Sequence, residues 1–500
     1  MRVLVSFLLS LLSLCAAAEV RLPMVFADGM VLQQLSAVRL WGWCDRFHDG
    51  TAGREVTVTT SWDNRTYTAV SDRDGRFEVT VQTPQAGGPY VVTFFDHSPL
   101  TIDHSAARAD NLQSSVLNLQ CYIGEVWVCS GQSNMEMTLK GYKGQPVEEA
   151  AETLLSCGDS LLRLFTVGHA TALTPQRDVS GHWQAACAAS VREFSATAYF
   201  FGRALRRVLG VPVGLVCTAY GGSACEAWMH GDWLRPFCAP YRSPKAGTTV
   251  VLPTSDDDVK RLKQRCPTAL YNGQLAPLVG YGIRGAIWYQ GEDNVPRYDY
   301  YAELLKAMVQ GWRKAWGQGD FPFYYCQIAP YDYSLIKWKD SQLLREQQMK
   351  AEAMIPNARM VVLMDAGLEY GIHPRKKRLA GERLALLALS HTYQVKGLPD
   401  FATYSSVEFH GDTAIVAFDR SREWVYFEHG PRSRSFEVAS TDGIYHPADA
   451  WTSRNRVYVH CDSVKKPVAV RYAWRDWIVG DLMHDGLPVS SFRTDSINGH

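Results

Sequence analysis

The sequence has no excess of charge of either sign and no long run of one sign. Its 51 lysines and arginines balance 51 aspartates and glutamates, so the formal net charge at pH 7 is zero. Proteins that bind nucleic acid or a membrane surface through charge carry a basic patch or stripe. We therefore expect no nucleic-acid partner and no membrane binding through basic residues.

The sequence also lacks a C-x-x-C pair, the usual signature of a zinc knuckle or a thioredoxin-type site. Twelve cysteines are present, and eleven remain once Cys15 in the leader described next is set aside. An odd number means that at least one stays free or pairs with another chain. Cys129, Cys217 and Cys326 lie in apolar runs, where cysteine behaves as a small hydrophobic residue. No metal or organic cofactor is expected.

No stretch beyond the leader reaches the ~20 consecutive apolar residues of a membrane-spanning helix. The leader itself has Arg2, an apolar segment over 4–14 and small residues up to Ala18. This pattern predicts a secretory signal peptide that is removed after Ala18. Lipoprotein processing at Cys15 is the alternative, and the bulky Leu14 before it disfavours that alternative. We expect an exported protein, periplasmic or extracellular.

No internal repeat or low-complexity linker divides the chain, so its domains must be inferred from changes in periodicity. A chain of 500 residues exceeds what one core usually supports. Near the N-terminus, Glu55–Thr59 and Phe77–Val81 alternate between apolar and polar residues around turn signals, which is typical of a β-sandwich. The expected organisation is a signal peptide (1–18), an N-terminal β-sandwich domain (19–115), a catalytic α/β domain (116–395) and a C-terminal β-rich, sandwich-like domain (396–500).

The central part alternates apolar runs with helical segments, which favours a mostly parallel sheet with helices on both faces. In such sheets the chemistry lies at the carboxyl ends of the strands. The five predicted strands are Val126–Cys129, Val213–Cys217, Ala286–Tyr289, Phe323–Cys326 and Met360–Met364.

Four of these strand ends carry residues suited to acyl transfer. Ser133 follows the first strand, the Gly221-Gly222 pair the second, Gln290 and Asn294 the third, and His373 the fifth. Acyl transfer through serine needs a nucleophile, a base and donors for an oxyanion. Each of these residues alone has a structural explanation: a serine is a common helix cap, and paired glycines often form only a turn. The hypothesis depends on their location together.

Several strings resemble the sialate O-acetylesterase family of SGNH-type hydrolases, and the resemblance spans nearly the whole mature chain. The surroundings of Ser133 do not fit the G-x-S-x-G elbow of α/β-hydrolases, because Met135 occupies the last position. The strings that carry the resemblance are Gly-Gln-Ser-Asn-Met at 131–135, Gly-Gly-Ser at 221–223 with Glu226-Ala227-Trp228, Trp-Tyr-Gln-Gly-Glu-Asp-Asn at 288–294 and Ile-His-Pro at 372–374.

The resemblance implies a flavodoxin-like SGNH-hydrolase domain, flanked by β-rich domains, that removes acetyl esters from sugars. Ser133 would be the nucleophile and His373 the base. The oxyanion hole would consist of the Ser133 and Gly222 backbone N–H groups, with Gly221 as the fallback, and a side-chain amide. Gln290 is preferred as that amide and Asn294 is second.

The acid behind the histidine is the point where the sequence departs from the family. Many SGNH enzymes have Asp three residues before the histidine, where this chain has Tyr370. Glu369 is the expected orienting acid, and Asp365 is the alternative. A Ser–His dyad oriented by a backbone carbonyl is the third possibility.

Other functions remain open on the sequence alone. The substrate is expected to be an O-acetylated sugar, most simply a 9-O-acetylated sialic acid, with acetylated xylan as the alternative. A non-catalytic carbohydrate-binding protein would not need the serine, glycine and histidine set. A glycosidase built on Glu292 and Asp293 is disfavoured, because adjacent residues on an extended segment point to opposite sides. The sequence does not give the oligomeric state.

Overall fold

The structure is a computed structural model that describes residues 20–44, 53–97, 116–238, 250–421 and 424–495. The predicted signal peptide lies outside these residues. None of the helices in the described ranges combines the length and apolarity needed to cross a membrane.

Short antiparallel strands form the N-terminal region. The two segments predicted from their alternation are both strands, and each buries its apolar side chains on one face. The strands are β1 (Met30–Gln33), β2 (Ala37–Trp43), β3 (Glu55–Thr60), β4 (Arg65–Val70), β5 (Arg76–Gln82) and β6 (Gly87–His97). Strand β2 pairs with β5 in one sheet, and β3 lies between β4 and β6 in the other.

A long strand, β7 (Val116–Gly131), connects this region to the central sheet. Its first half pairs with β6 and β1, from Val116 opposite Phe95 to Gly124 opposite Gln33. Its second half pairs with central strands from residue 125 onward. The boundary predicted between 115 and 116 therefore falls at the start of a strand that belongs to both sheets.

The central sheet contains all five predicted strands, and they are parallel. The central strands after β7 are β8 (Asp159–Thr166), β9 (Trp183–Ala186), β10 (Val213–Ala219), β11 (Gly285–Tyr289), β12 (Phe323–Cys326) and β13 (Ala358–Val361). From one edge to the other the order is β13-β12-β11-β7-β10-β8-β9, with β9 antiparallel to β8. The chain is thus a mixed α/β protein with a parallel central sheet.

The α-helices of the described residues cover this sheet. They are α1 (Ser133–Glu136), α2 (Ala150–Leu155), α3 (Ala188–Arg192), α4 (Ala196–Leu209), α5 (Gly231–Leu234), α6 (Asp256–Leu262), α7 (Tyr301–Trp316), α8 (Ser341–Met354) and α9 (Lys377–Leu387). Among the longer helices, α4 packs on α9 and α7 packs on α8. Helix α7 buries five apolar side chains at helical spacing: Leu304, Leu305, Met308, Trp312 and Trp316.

The C-terminal region is β-rich, with a seven-stranded antiparallel sheet and a three-stranded sheet. The strands are β14 (Thr403–His410), β15 (Thr413–Asp419), β16 (Val425–Phe427), β17 (Arg432–Ala439), β18 (Tyr445–Ser453), β19 (Arg456–His460), β20 (Ala469–Tyr472), β21 (Leu482–His484), β22 (Leu487–Pro488) and β23 (Phe492–Arg493).

The cysteines from Cys44 to Cys461 are all free thiols in this structure. Cys129, Cys217 and Cys326 are buried in the central strands, where the sequence placed them as hydrophobic residues.

Candidate active site

The carboxyl ends of three central strands lie level with one another. Ala219 of β10 and Tyr289 of β11 both align with Gly131, the last residue of β7. Gly131 has φ +143, and a Cβ there would lie 2.2 Å from the Tyr289 carbonyl oxygen. Only glycine allows the backbones to approach this closely. The chain turns at once into α1, whose first residue is the half-buried Ser133.

The structure brings Ser133 and His373 together although they are 240 residues apart in the chain. His373 lies in the loop between β13 and α9, at the same edge of the sheet. Its Nε2 is 2.8 Å from the Ser133 Oγ. That distance is within hydrogen-bond reach, as nucleophile and base require.

The other ring nitrogen of His373 faces an amide. Nδ1 is 2.6 Å from the Gln145 Oε1. An amide oxygen only accepts hydrogen bonds, so Nδ1 carries the proton and donates it to Gln145. The Nε2 lone pair is then free to accept the Ser133 hydroxyl proton. Gln145 therefore selects the tautomer in which Nε2 of His373 can accept a proton.

The predicted acid Glu369 does not occupy this position. Its carboxyl group pairs with its neighbour Tyr370, and its backbone carbonyl accepts from the Asp332 N–H. Asp365, the alternative, forms two hydrogen bonds with the Arg383 guanidinium, at 2.7 and 2.6 Å. The expectation of a carboxylate behind His373 is therefore corrected: the side chain in contact with Nδ1 is an amide from another loop.

The loop over 141–145 shapes this contact. Tyr142 and Gln145 exchange both backbone hydrogen bonds, and the residue before each of them, Gly141 and Gly144, adopts positive φ. The Tyr142 ring meets the His373 ring edge-to-face at 5.1 Å, and its hydroxyl donates to the Ser133 carbonyl oxygen at 3.3 Å. The loop thus contacts both partners of the Ser133–His373 pair.

His373 is held in its neutral form. Burial, together with the positive charge of Lys377, lowers the pKa of His373 from its usual value to about 4. The nearby Glu136 carboxylate opposes this shift, but its effect is smaller. The base form of the ring therefore dominates above about pH 4.

The glycine pair that the sequence predicts as part of an oxyanion hole lies beside Ser133. The Gly221 backbone packs against Ser133, since a Cβ at Gly221 would lie 3.4 Å from the Ser133 Cβ. Its N–H donates to the Glu136 carboxylate at 2.6 Å. Within the described ranges, the N–H groups of Ser133 and Gly222 have no hydrogen-bond partner. Gly222, the first choice from the sequence, is thus the glycine of the pair whose N–H is available.

The central part of the chain matches a known protein family. Residues 123–386, more than half of the chain, match the family described as carbohydrate esterase, sialic acid-specific acetylesterase. The chain belongs to this family. It is a carboxylic ester hydrolase of the carbohydrate acetylesterase type.

The esterase is similar to several known proteins along most of its length. A solved structure of a carbohydrate acetylesterase from Xanthomonas citri is 32% identical, covers 96% of this chain and 100% of its own, and has a TM-score of 0.81. The sialate O-acetylesterase of Rattus norvegicus is 27% identical over 74% of this chain and 73% of its own. The human sialate O-acetylesterase is 26% identical over 74% of this chain and 71% of its own.

The two side-chain amides expected in the oxyanion hole of the esterase are engaged elsewhere. The Gln290 Nε2 donates to the Ser223 carbonyl oxygen at 3.1 Å and to the Asn294 Oδ1 at 2.7 Å. The Asn294 Nδ2 donates to the buried Glu226 carboxylate at 2.9 Å. Both amides are fully buried. This part of the sequence-based prediction is corrected: Gln290 and Asn294 tie the glycine loop to the end of β11.

Asn134 joins the turn that carries Ser133 to the loop that carries His373, a role that the sequence did not reveal. Its Nδ2 donates to the Ile372 carbonyl oxygen at 3.1 Å and also contacts the Glu292 carboxylate. Its Oδ1 accepts from the buried Lys377 ammonium. One amide therefore links the residue after Ser133 to the residue before His373.

Glu136 and His169 form a second polar group at the site. The Glu136 Oε1 is 2.7 Å from the His169 Nε2, and this contact raises the pKa of His169. The His169 ring stacks on Tyr220 with centroids 3.8 Å apart. Glu136 thus fixes the glycine loop both through the Gly221 N–H and through the residue before it. In the sequence, the feature that could have pointed to Glu136 as a site residue is its position directly after the Gly-Gln-Ser-Asn-Met string.

Proposed function

We propose that this esterase removes O-acetyl groups from carbohydrates by attack of Ser133 on the acetyl carbonyl. The observation that carries the proposal is the 2.8 Å contact between the Ser133 Oγ and the His373 Nε2 at the carboxyl edge of the parallel sheet. The Gln145 contact supports it, because that contact leaves Nε2 as the acceptor.

In the proposed mechanism, His373 takes the Ser133 proton as Oγ attacks the carbonyl carbon. The oxyanion of the tetrahedral intermediate is stabilised by the Ser133 and Gly222 N–H groups. The intermediate collapses to an acyl-enzyme, and the His373 proton passes to the leaving sugar oxygen. Water, deprotonated by His373, then attacks the acyl-enzyme. The bond between the acyl carbon and the Ser133 Oγ breaks, His373 returns the proton to Oγ, and acetate is released.

The proposed substrate is a sugar O-acetyl ester, with 9-O-acetylated sialic acid as the first candidate. The family description and the names of the rat and human relatives support this choice. Acetylated xylan is the alternative within the same chemistry. We also propose that the central domain has the flavodoxin-like SGNH arrangement, that the domains follow the boundaries given above, and that the protein is exported to the periplasm or the extracellular space.

Substitution of the nucleophile tests the proposal. Ser133→Ala is expected to abolish hydrolysis of 4-nitrophenyl acetate and acetate release from O-acetylated sialic acid. Ser156→Ala, at an exposed serine in the chain segment after α2, is the matched control and should keep both activities. Near-normal turnover by Ser133→Ala would exclude the proposal, and binding of the sugar without acetate release by the unaltered protein would favour a non-catalytic binding protein.

A further inference from the structure

A cavity of about 210 Å³ lies beside the glycine loop and has a mixed lining. Its apolar wall includes Val250, Leu262 and Pro267. Its polar wall carries two arginines, Arg265 and Arg297, and each of them contacts a carboxylate. A cavity of this kind binds a small ligand through its apolar surface and orients it through a few polar groups.

Arg265 lies beside the glycine loop. A Cβ on Gly222 would lie 3.6 Å from the Arg265 Nη2 and 3.4 Å from the Gln264 Nε2. The Gly222 N–H, which has no hydrogen-bond partner among the described residues, is the proposed oxyanion donor. An ester that binds this N–H through its carbonyl oxygen would therefore place its sugar near Arg265.

The Arg265 guanidinium is fixed on one edge and open on the other. Its Nε and Nη2 both lie 2.8 Å from the Asp293 Oδ1. Asp293 is itself held by its N–H, which donates to the Gln132 Oε1 at 3.3 Å, and Gln132 precedes the nucleophile. The Nη1 of Arg265 has no partner among the described residues, and the side chain is 55% exposed. Arg265 is thus aimed relative to Ser133 and keeps donors for a ligand.

Arg297 does not offer the same opportunity. It contacts the buried Glu226 carboxylate at 3.1 Å and lies 3.9 Å from Asp293, and it is only 20% exposed. The positive charge of Arg297 is thus neutralised by carboxylates of the protein itself. We therefore assign the contact with an anionic group of the substrate to Arg265 alone.

We propose that Arg265 is a specificity-determining residue that binds a carboxylate on the acetylated sugar, so that the esterase prefers acidic sugars over neutral ones. The inference rests on the proposed function. A guanidinium presents paired N–H donors that match a carboxylate, and this match distinguishes a sugar acid from its neutral analogue. The apolar wall accommodates the uncharged part of the same sugar.

The test compares 9-O-acetylated sialic acid with the same sugar in which the carboxylate is converted to the carboxamide. The unaltered esterase is expected to show a kcat/KM about 10- to 100-fold higher for the acid, because a hydrogen bond to a charged group is stronger than one to a neutral group. In Arg265→Gln the two values become equal. The ratio of kcat/KM for the acid to kcat/KM for the carboxamide is measured within each variant. A smaller fraction of folded protein lowers both values equally and leaves this ratio unchanged.

Arg192→Gln is the matched control, since Arg192 is also 55% exposed and also paired with a carboxylate, on α3. It should keep the full preference for the acid. An unchanged ratio in Arg265→Gln, or equal rates for acid and carboxamide in the unaltered esterase, would overturn this inference alone, provided that Ser133→Ala is inactive. Activity that survives in Ser133→Ala would instead refute the proposed function.

Discussion

At the scale of single residues, His373 is oriented by an amide where a carboxylate was expected. Gln145 accepts the Nδ1 proton through its Oε1, but it carries no charge to stabilise the imidazolium that the proposed mechanism forms. The Glu136 carboxylate, which favours protonated His373, supplies part of that stabilisation from a distance. Gln145 therefore orients the His373 ring, whereas the Glu136 carboxylate favours its protonated form.

Substitution of Gln145 tests this division. Gln145→Ala leaves the His373 ring without its orienting acceptor, and we expect kcat/KM to fall about 100-fold, the cost of a small misplacement of a reacting group. Gln145→Glu is expected to stay active and to shift the acid limb of the pH–rate profile to higher pH, since a carboxylate at Nδ1 favours the imidazolium. Gln184→Ala, at an exposed glutamine on β9, is the control. A wild-type rate in Gln145→Ala would contradict the assignment.

The pH dependence of the unaltered esterase follows from the same residue. The pKa of His373 is lowered to about 4, so the neutral base persists as the pH falls and is lost only near that value. The acid limb of kcat/KM reports the free enzyme, and it should be half-maximal near pH 4. A profile measured from pH 3 to pH 9 with 4-nitrophenyl acetate checks this expectation. A half-maximum between pH 6 and 7, typical of an unperturbed histidine, would be inconsistent with it.

The sequence predicts that Ser133, Gly222 and His373 lie at one edge of the sheet, because the strands before them are strongly apolar and parallel strands bring their carboxyl ends together. It could not identify Gln145, since a glutamine in a loop has no pattern that distinguishes it from a surface residue. Glu369 was chosen for its closeness to His373 in the sequence, and the fold turns its carboxyl group toward Tyr370 instead.

At the scale of elements, the first turn of α9 sets the electrostatics of the histidine. Lys377, its first residue, is buried, and burial lowers the pKa of this lysine to about 7. Its ammonium contacts Asn134, which in turn holds the Ile372 carbonyl. The start of the helix thus lowers the pKa of His373 by charge and fixes its loop by hydrogen bonds.

Lys377→Met separates these two effects. Removal of the positive charge removes one of the two causes that lower the pKa of His373, so the acid limb of kcat/KM should move to higher pH. Lys376→Met, at the exposed neighbouring lysine, serves as the control and should leave the limb in place. If Lys377→Met lowers the rate at every pH without moving the limb, then Lys377 acts only on the structure of the loop.

The strands show what periodicity reveals and what it misses. The five predicted central strands are buried along their length and therefore appear as apolar runs. Strand β8 was missed, because it lies toward the edge of the sheet and only part of its residues are buried. Its polar residues, such as Asp159 and Arg163, interrupt the run that marks a central strand.

At the scale of the whole molecule, β7 makes the N-terminal region and the central sheet continuous. Its first half pairs with β6 in antiparallel orientation, and its last residue, Gly131, leads directly into the turn that carries Ser133. The three regions expected from the sequence, β-rich, α/β and β-rich, are each present. The change in periodicity near residue 116 could not reveal that one strand serves two sheets, because both halves of β7 are extended.

Removal of the N-terminal region tests this continuity. A chain that begins at residue 116 leaves the first half of β7 without β6 and β1, and an unpaired apolar edge of this kind promotes aggregation. We expect it to be insoluble or to lose activity on 4-nitrophenyl acetate. A chain that begins at residue 19 is the control and should be soluble and active. A soluble, fully active chain from residue 116 would show that the central sheet folds independently.

Ser133, activated by His373, is the proposed nucleophile of the esterase. Treatment with a serine-directed fluorophosphonate, followed by peptide mass spectrometry, measures this directly. We expect a single adduct on Ser133, with complete loss of esterase activity, and a much slower reaction in His373→Ala. An adduct on another residue, or full esterase activity after Ser133 is modified, would contradict this assignment.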